Sequence, residues 1–413
     1  MLRAAALLGE RAGEIAAVAS LEVGKNRVQS MGEVDEAAEL MGVYRSQMRD
    51  GLELELESEP AGRVHRSAMR PCGVFGVIAP FIFPMALTTG PATGALAAGN
   101  TVVVKPSPTT SWTGMLLGDV LREAGLPDGV FNLVTCSDVT GRALVESPDV
   151  DGIVFTGSHA VSMQIARTFA GEGAYPRPSI IEMGGKNPAI VSRSADLSIA
   201  ASGIVRSAFG LSGQKCSACS WVLVDETVHG ELIERLVAET KSWTVAEPTS
   251  QDCRLGPVHT SEAFERYEAV VAEARRDGRV AAGDRVLRDG ELAHGWFVAP
   301  TIVADLASEQ RLTRESCSYP YSSSSPYRLS PRRLAGPAVR CTASRPDCSP
   351  RTSERSARFS TGSRQGRCSS TVLRGRPAGA GRGNRRTVAG RGRAPLGAGH
   401  WDDGTWGSSY ASR

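Results

Sequence analysis

The sequence predicts an α/β protein built on a parallel sheet. Two observations carry this. Short apolar runs that read as buried strands alternate with helix-patterned segments across residues 73–170. The chain also has 413 residues, enough for two or three domains with sizeable cores.

The elements follow in order. Residues 1–20 and 31–49 space their apolar side chains as helices do. Leu52, Leu54 and Leu56 alternate with Glu53, Glu55 and Glu57, a strand pattern, and residues 64–70 supply a hairpin partner. Residues 73–80 read as a buried strand ended by Pro80. Small apolar residues over 86–98 suit a closely packed helix, and 100–105 is a second buried strand. A helix over 111–124, a strand over 129–134, a helix over 140–146, a strand over 152–155 and a helix over 158–170 continue the series. This order predicts a Rossmann-like dinucleotide-binding domain, with the nucleotide at the strand ends. After Glu182 a second α/β segment begins. It holds helices near 197–209, 227–242 and 261–277 and a strand over 221–224.

At Ser316 the patterning stops. Residues 1–315 carry a net charge of −11, whereas 316–413 carry +14, with 18 Arg and no Lys. Taken literally, the latter is a disordered basic tail rich in Ser, Arg, Gly and Pro. The acidic body gives no reason to expect nucleic acid as a partner. No run of 18 apolar residues spans a membrane, and the N-terminus lacks the regions of a signal peptide. Nine cysteines without framework spacing fit a reducing cytoplasm.

Three segments, in order and separation, resemble the aldehyde dehydrogenase superfamily. They are Phe155-Thr156-Gly157-Ser158, Glu182-Met183-Gly184-Gly185-Lys186-Asn187-Pro188 and Gly213-Gln214-Lys215-Cys216-Ser217-Ala218. Lys105-Pro106-Ser107 and Val298-Ala299-Pro300-Thr301 agree with the same pattern. The resemblance covers residues 1–315, and the family's members carry a longer segment before the first helix. It implies a dinucleotide-binding domain over 1–182, with an oligomerisation hairpin near 51–70, a partial catalytic domain over 183–315 and a tail over 316–413. It also implies an aldehyde substrate, NAD or NADP, and a homo-oligomer.

By resemblance Cys216 is the nucleophile and Glu182 the base that activates the hydrolytic water. Each residue alone has a plainer reading: a cysteine is often a small buried apolar residue, and a glutamate a solvated charge. Cys216 and Cys219 also form a C-x-x-C pair. No second pair or His-spaced partner accompanies it, so no metal is expected. Gly157 and Ser158 open a helix, where free N–H groups suit a pyrophosphate, although an ordinary turn with an N-cap looks the same in sequence. By resemblance Lys105 holds the adenine ribose, with Ser107 beside it. Pro108 stands where NAD-preferring members often carry an acid, which leaves NAD and NADP both open. The Cys216 segment and Leu255-Gly256-Pro257-Val258 are similar to the pyrroline-5-carboxylate (glutamate-γ-semialdehyde) dehydrogenases of proline degradation.

Three departures stand out. Ile82 occupies the place of an asparagine that donates to the oxyanion, and Ser162 that of a second glycine in the cofactor turn. The third is the tail. The family expects Glu-Glu-Leu-Phe-x-Pro-Val near Arg314. Loss of one G from GAG-GAG-CTG-TTC-GTA-CCC-GTA-C gives Glu315-Ser316-Cys317-Ser318-Tyr319-Pro320-Tyr321, the observed sequence. In the restored frame, 342–350 can read Tyr-Gly-Leu-Thr-Ala-Gly-Leu-Phe-Ser. Residues 359–372 can read Phe-Leu-Asp-Arg-Ile-Glu-Ala-Gly-Ala-Val-Phe-Val-Asn-Arg, and 395–399 can read Pro-Phe-Gly-Gly-Trp. All three are family-like, in the family's order. The readings are therefore an aldehyde dehydrogenase, its catalytically inactive frameshifted product, or an α/β domain whose Arg-rich tail binds RNA.

Overall fold

The computed structural model describes residues 1–51, 53–57, 64–171, 175–307, 309–314, 321–326, 356–362 and 368–374. The chain divides into two compact units. The first comprises Met1–Glu22 and Met31–Glu182, and the second Val23–Ser30 and the described part of Met183–Gly392.

The first unit opens with α1 (Leu2–Glu10), α2 (Ala12–Val23) and α3 (Arg27–Gly51), the last two crossing the division near Val23–Ser30. Strands β1 (Glu53–Glu57) and β2 (Val64–Ala68) pair antiparallel, with Glu53 opposite Ala68. Then β3 (Val74–Ile78), α4 (Ala86–Ala97), β4 (Thr101–Lys105), α5 (Ser111–Glu123), β5 (Phe131–Leu133), α6 (Asp138–Glu146), β6 (Gly152–Thr156), α7 (His159–Gly171) and β7 (Ser179–Glu182) follow. The five strands β3–β7 form one sheet in the order β5-β4-β3-β6-β7, every pair parallel.

Both faces of this sheet are covered, as parallel strands require. β6 is buried throughout, and its side chains alternate between faces. Val154 joins the core made with α1–α5, including Leu8, Ile15, Met41, Val102 and Leu117. Ile153 and Phe155 join Val145, Ile165 and Phe169 in the other. Two carboxylates from the N-terminal helices cap later ones. Glu22 accepts from the N–H groups of Trp112 and Thr113 at 2.9 and 3.0 Å, at the start of α5. Glu33, fully buried, accepts from those of Met85 and Ala86 at 2.7 and 3.2 Å, at the start of α4.

The second unit contains β8 (Asn187–Val191), α8 (Leu197–Phe209), β9 (Cys219–Val224), α9 (His229–Lys241), α10 (Ser261–Asp277), β10 (Arg279–Ala282), β11 (Thr301–Ala304) and the short α11 (Arg311–Arg314). Asp196 caps α8, accepting from the N–H groups of Ser198 and Ile199 at 3.0 and 3.2 Å. The apolar stripe of α8, with Ala200, Ile204, Val205 and Ala208, packs with Val191, Val222, Val224 and Ile302. Beyond Arg314 the described residues are three strands, β12 (Tyr321–Pro326), β13 (Ser356–Gly362) and β14 (Cys368–Arg374). β12 lies parallel between β11 and β9, and the sheet order is β10-β11-β12-β9-β8-β13-β14. The rest of the expected tail lies outside the described residues. No helix among them is long and apolar enough to cross a membrane.

Candidate active site

In the first unit β3 is the earliest strand of the sheet, with β4 and β5 on one side and β6 and β7 on the other. The winding direction therefore reverses between β3 and β6. In an open parallel sheet the crevice at the carboxyl ends of such a pair is where a ligand binds. Three sequence motifs meet along that edge. Ile78 pairs with Lys105 and with Phe155, and Thr156 pairs with Glu182. Lys105, Ser107, Gly157, Ser158 and Glu182 thus end neighbouring strands or begin the loops that leave them.

Lys105 is buried, and its Nζ donates to the Pro106 carbonyl at 3.1 Å. Burial lowers its pKa, opposed by the nearby Asp138 and then Cys136. Ser107 lies with its Oγ 3.0 Å from Thr109 Oγ1. The Ser158 side chain accepts from Val161 N–H at 3.4 Å, an N-cap for α7. The N–H of Gly157 is not aimed outward as the motif implied, because it donates to the Glu182 carbonyl at 3.1 Å. What Gly157 supplies is the missing side chain, since a Cβ there would meet the Phe155 ring. The groups left to face an anion are the first N–H groups of α7, which a helix does not pair internally. This donor set, at a switch point and beside a buried ammonium, fits a dinucleotide.

Ser162 lies on the packed face of α7 with Ile165 and Phe169, not on its open end. Its buried hydroxyl has no hydrogen-bond partner among the described residues. Ile82 is half-buried in the bend after β3, just ahead of the α4 start that Glu33 caps.

Cys216 belongs to the second unit, in the turn that enters β9. The N–H of Ala218 donates to the Lys215 carbonyl at 3.2 Å, so Cys216 and Ser217 are the central residues of a β-turn. The buried Asn187 side chain donates from Nδ2 to the carbonyls of Cys216 and Ala218 at 2.7 and 3.1 Å. Gly185 lies so close that a Cβ would stand 2.7 Å from the Cys216 carbonyl oxygen. Glu182 ends the first unit and Cys216 belongs to the second.

The approach to the turn is strained. Leu211, Ser212 and Gly213 have φ of 52°, 51° and 70°. For Leu and Ser this costs roughly 1–2 kcal/mol each. Specific bonds hold it. Leu211 N–H donates to Gln29 Oε1 at 3.1 Å, and Ser212 Oγ donates to the Gly256 carbonyl at 2.7 Å. His259 N–H donates to Gln214 Oε1 at 3.0 Å. The Leu255-Gly256-Pro257-Val258 segment, linked to the Cys216 segment only by resemblance, is therefore its physical support.

Cys219, the other half of the C-x-x-C pair, is buried, and its thiol is pushed up to about 12 by that burial. It donates to the Trp221 carbonyl at 3.4 Å. A thiol so held is a poor nucleophile near neutral pH.

Two histidines of the second unit carry a pH dependence. Burial lowers the pKa of His259 and of His229 from the ordinary 6.5. A backbone contact to Val23 opposes it at His259, and Asp305 opposes it at His229, where Arg279 adds to the lowering. Their folded values lie below the unfolded one. The stability they contribute is therefore complete above about pH 6.5 and is lost as pH falls through the folded values. The urea midpoint should drop between about pH 7.5 and about pH 5.5, and His259→Gln should flatten part of that drop. An unchanged slope in that variant would contradict the assignment.

The geometry defines a class: an α/β protein with a parallel sheet that has a switch-point crevice, and a cysteine on a turn held by hydrogen bonds. The aldehyde dehydrogenase family model matches residues 1–323, and the chain belongs to that family. Among curated relatives, the 1-pyrroline-5-carboxylate dehydrogenase of Bacillus cytotoxicus is 39% identical over 323 residues, 76% of this chain and 61% of that protein. The chain thus spans about 61% of the length of this curated relative. Among solved structures, the NAD-dependent aldehyde dehydrogenase from Sinorhizobium meliloti superposes with a TM-score of 0.76 at 31% identity, covering 81% of this chain and 66% of that one. A 1-pyrroline-5-carboxylate dehydrogenase from Thermus with bound NAD gives 0.72 at 31% identity, covering 79% and 63%.

Proposed function

We propose that the undamaged form of this protein is an NAD- or NADP-dependent dehydrogenase that oxidises L-glutamate-γ-semialdehyde to glutamate through a cysteine thioester. The observation that carries this reading is the rigid turn bearing Cys216, tied by Gly185 and Asn187 to the strand that follows Glu182. The likeness to 1-pyrroline-5-carboxylate dehydrogenases supports the substrate.

The chemistry follows from the residues. The Cys216 thiolate adds to the aldehyde carbon and forms a thiohemiacetal. The dinucleotide, when bound, supplies the hydride acceptor, held by Lys105, Ser107 and the opening of α7. Loss of hydride leaves an acyl group on Cys216. Glu182 takes a proton from water, which attacks the thioester and releases the acid and the free thiol. The hairpin β1–β2 serves as an oligomerisation element, and the intact protein works in the cytoplasm as a homo-oligomer.

We further propose that the 413-residue chain is the inactive product of a one-base loss after Glu315. Its support is the restored reading of three later segments, the reversal of net charge after residue 315, and a family match that ends at residue 323. A fresh DNA read across codons 310–320 tests the frame. Expression of the chain with one G restored tests the function. The restored protein should reduce dinucleotide with glutamate-γ-semialdehyde, at a higher kcat/KM than with short aliphatic aldehydes. The chain as written should show no turnover. Robust turnover by the latter would refute the inactive reading, and a preference for aliphatic aldehydes would refute the substrate.

A further inference from the structure

We infer that Asn187 is a positioning residue for Cys216: its side-chain amide clasps the turn and fixes the peptide plane on the carboxyl side of the nucleophile. This rests on the reading of Cys216 as the reacting thiol.

One amide nitrogen bridges two carbonyl oxygens of the same turn, Cys216 at 2.7 Å and Ala218 at 3.1 Å. The amide is buried, so it exchanges no partner with water. A peptide unit is planar, and its C=O and N–H point in opposite directions. Fixing the Cys216 carbonyl therefore also fixes the direction of the Ser217 N–H. On the other side of the turn, the Ala218 carbonyl shares its peptide with Cys219 N–H, which donates to Ser207 Oγ at 3.2 Å. Asn187 itself begins β8 and pairs with Cys219 in the sheet, so the clasp is anchored to regular structure. Gly185 is the necessary counterpart. A Cβ there would press on the Cys216 carbonyl and lie 3.0 Å from both polar atoms of the Asn187 amide.

Asn187 acts through the Cys216 carbonyl. Its effect on chemistry is through aim: a nucleophile displaced by about 1 Å can lose about 10²-fold in rate. Asn187→Asp is nearly isosteric and replaces the donor by an acceptor facing two carbonyls. It should slow alkylation of Cys216 by iodoacetamide in the 413-residue chain about ten- to hundredfold. The rate is read residue by residue from peptide masses, with the exposed Cys72 and Cys136 as internal standards that should not change. Gly185→Ala should produce the same selective loss, which keeps the test open if Asn187→Asp does not fold. Ser207→Ala removes the neighbouring bond that steadies the start of β9 and should leave the Cys216 rate within about twofold. An unchanged Cys216 rate in folded Asn187→Asp or Gly185→Ala would overturn the proposal, as would an equal loss in Ser207→Ala, since generic loop stability would then explain it. Failure of the underlying reading shows separately, as retained turnover of Cys216→Ser in the frame-restored protein.

Discussion

Cys216→Ser in the frame-restored protein should lower kcat by at least about 10⁴-fold, leaving the fold and dinucleotide affinity unchanged. A serine hydroxyl is almost wholly protonated near neutral pH and is a far weaker nucleophile than a thiolate. Cys219 offers no substitute, because burial pushes its thiol up to about 12. Circular dichroism and dinucleotide titration of the same variant separate lost chemistry from lost structure. Turnover within about tenfold of the parent would mean that another residue carries the acyl group.

The second large effect is a gain. Ile82→Asn in the frame-restored protein should raise kcat by about 10²–10³-fold, the usual worth of one oxyanion donor. The bend holding Ile82 leaves β3 at the switch-point edge and runs directly into α4. Glu33 fixes that entry through Met85 and Ala86, so the backbone is held for whichever side chain stands at 82. Ile82 is half-buried, and asparagine has no larger volume to accommodate. A gain in kcat with little change in KM is expected, because the donor acts on charge that develops after binding. No gain would show that position 82 does not serve the oxyanion in this chain.

Much of the first unit was legible because its signals are local. Buried parallel strands are short apolar runs, and 101–105 and 152–156 are just that. The helix Ser261–Asp277 was readable to its ends, since Thr260 caps it and Gly278 follows. β8 was not read from periodicity, as Pro188 sits within it and only five residues make the strand. Nor could local pattern show that Val23–Ser30 belongs with the second unit. That depends on contacts such as Asn26 Nδ2 to the Arg254 carbonyl at 2.9 Å, across 228 residues of chain.

The candidate site divides in the same way. Its residue types were visible as motifs, but their roles depend on tertiary neighbours. Asn187 stood in a quoted motif without a task, since the carbonyls it clasps lie about thirty residues further on. Gly157 was assigned an outward N–H that the fold spends on the Glu182 carbonyl. The left-handed run over 211–213 had a glycine as signal only at its last position. Leu211 and Ser212 adopt that conformation because Gln29 and Gly256 hold them there.

The most direct test of the central claim is to trap the intermediate. The frame-restored protein carrying Glu182→Gln, which cannot activate water, is mixed with glutamate-γ-semialdehyde and dinucleotide, quenched in acid and mapped by peptide mass. The expected result is an acyl adduct on the Cys216 peptide that forms only with oxidised dinucleotide and persists longer than in the parent. Product formation at the parental rate with no adduct on Cys216, or an adduct on another cysteine, would contradict it.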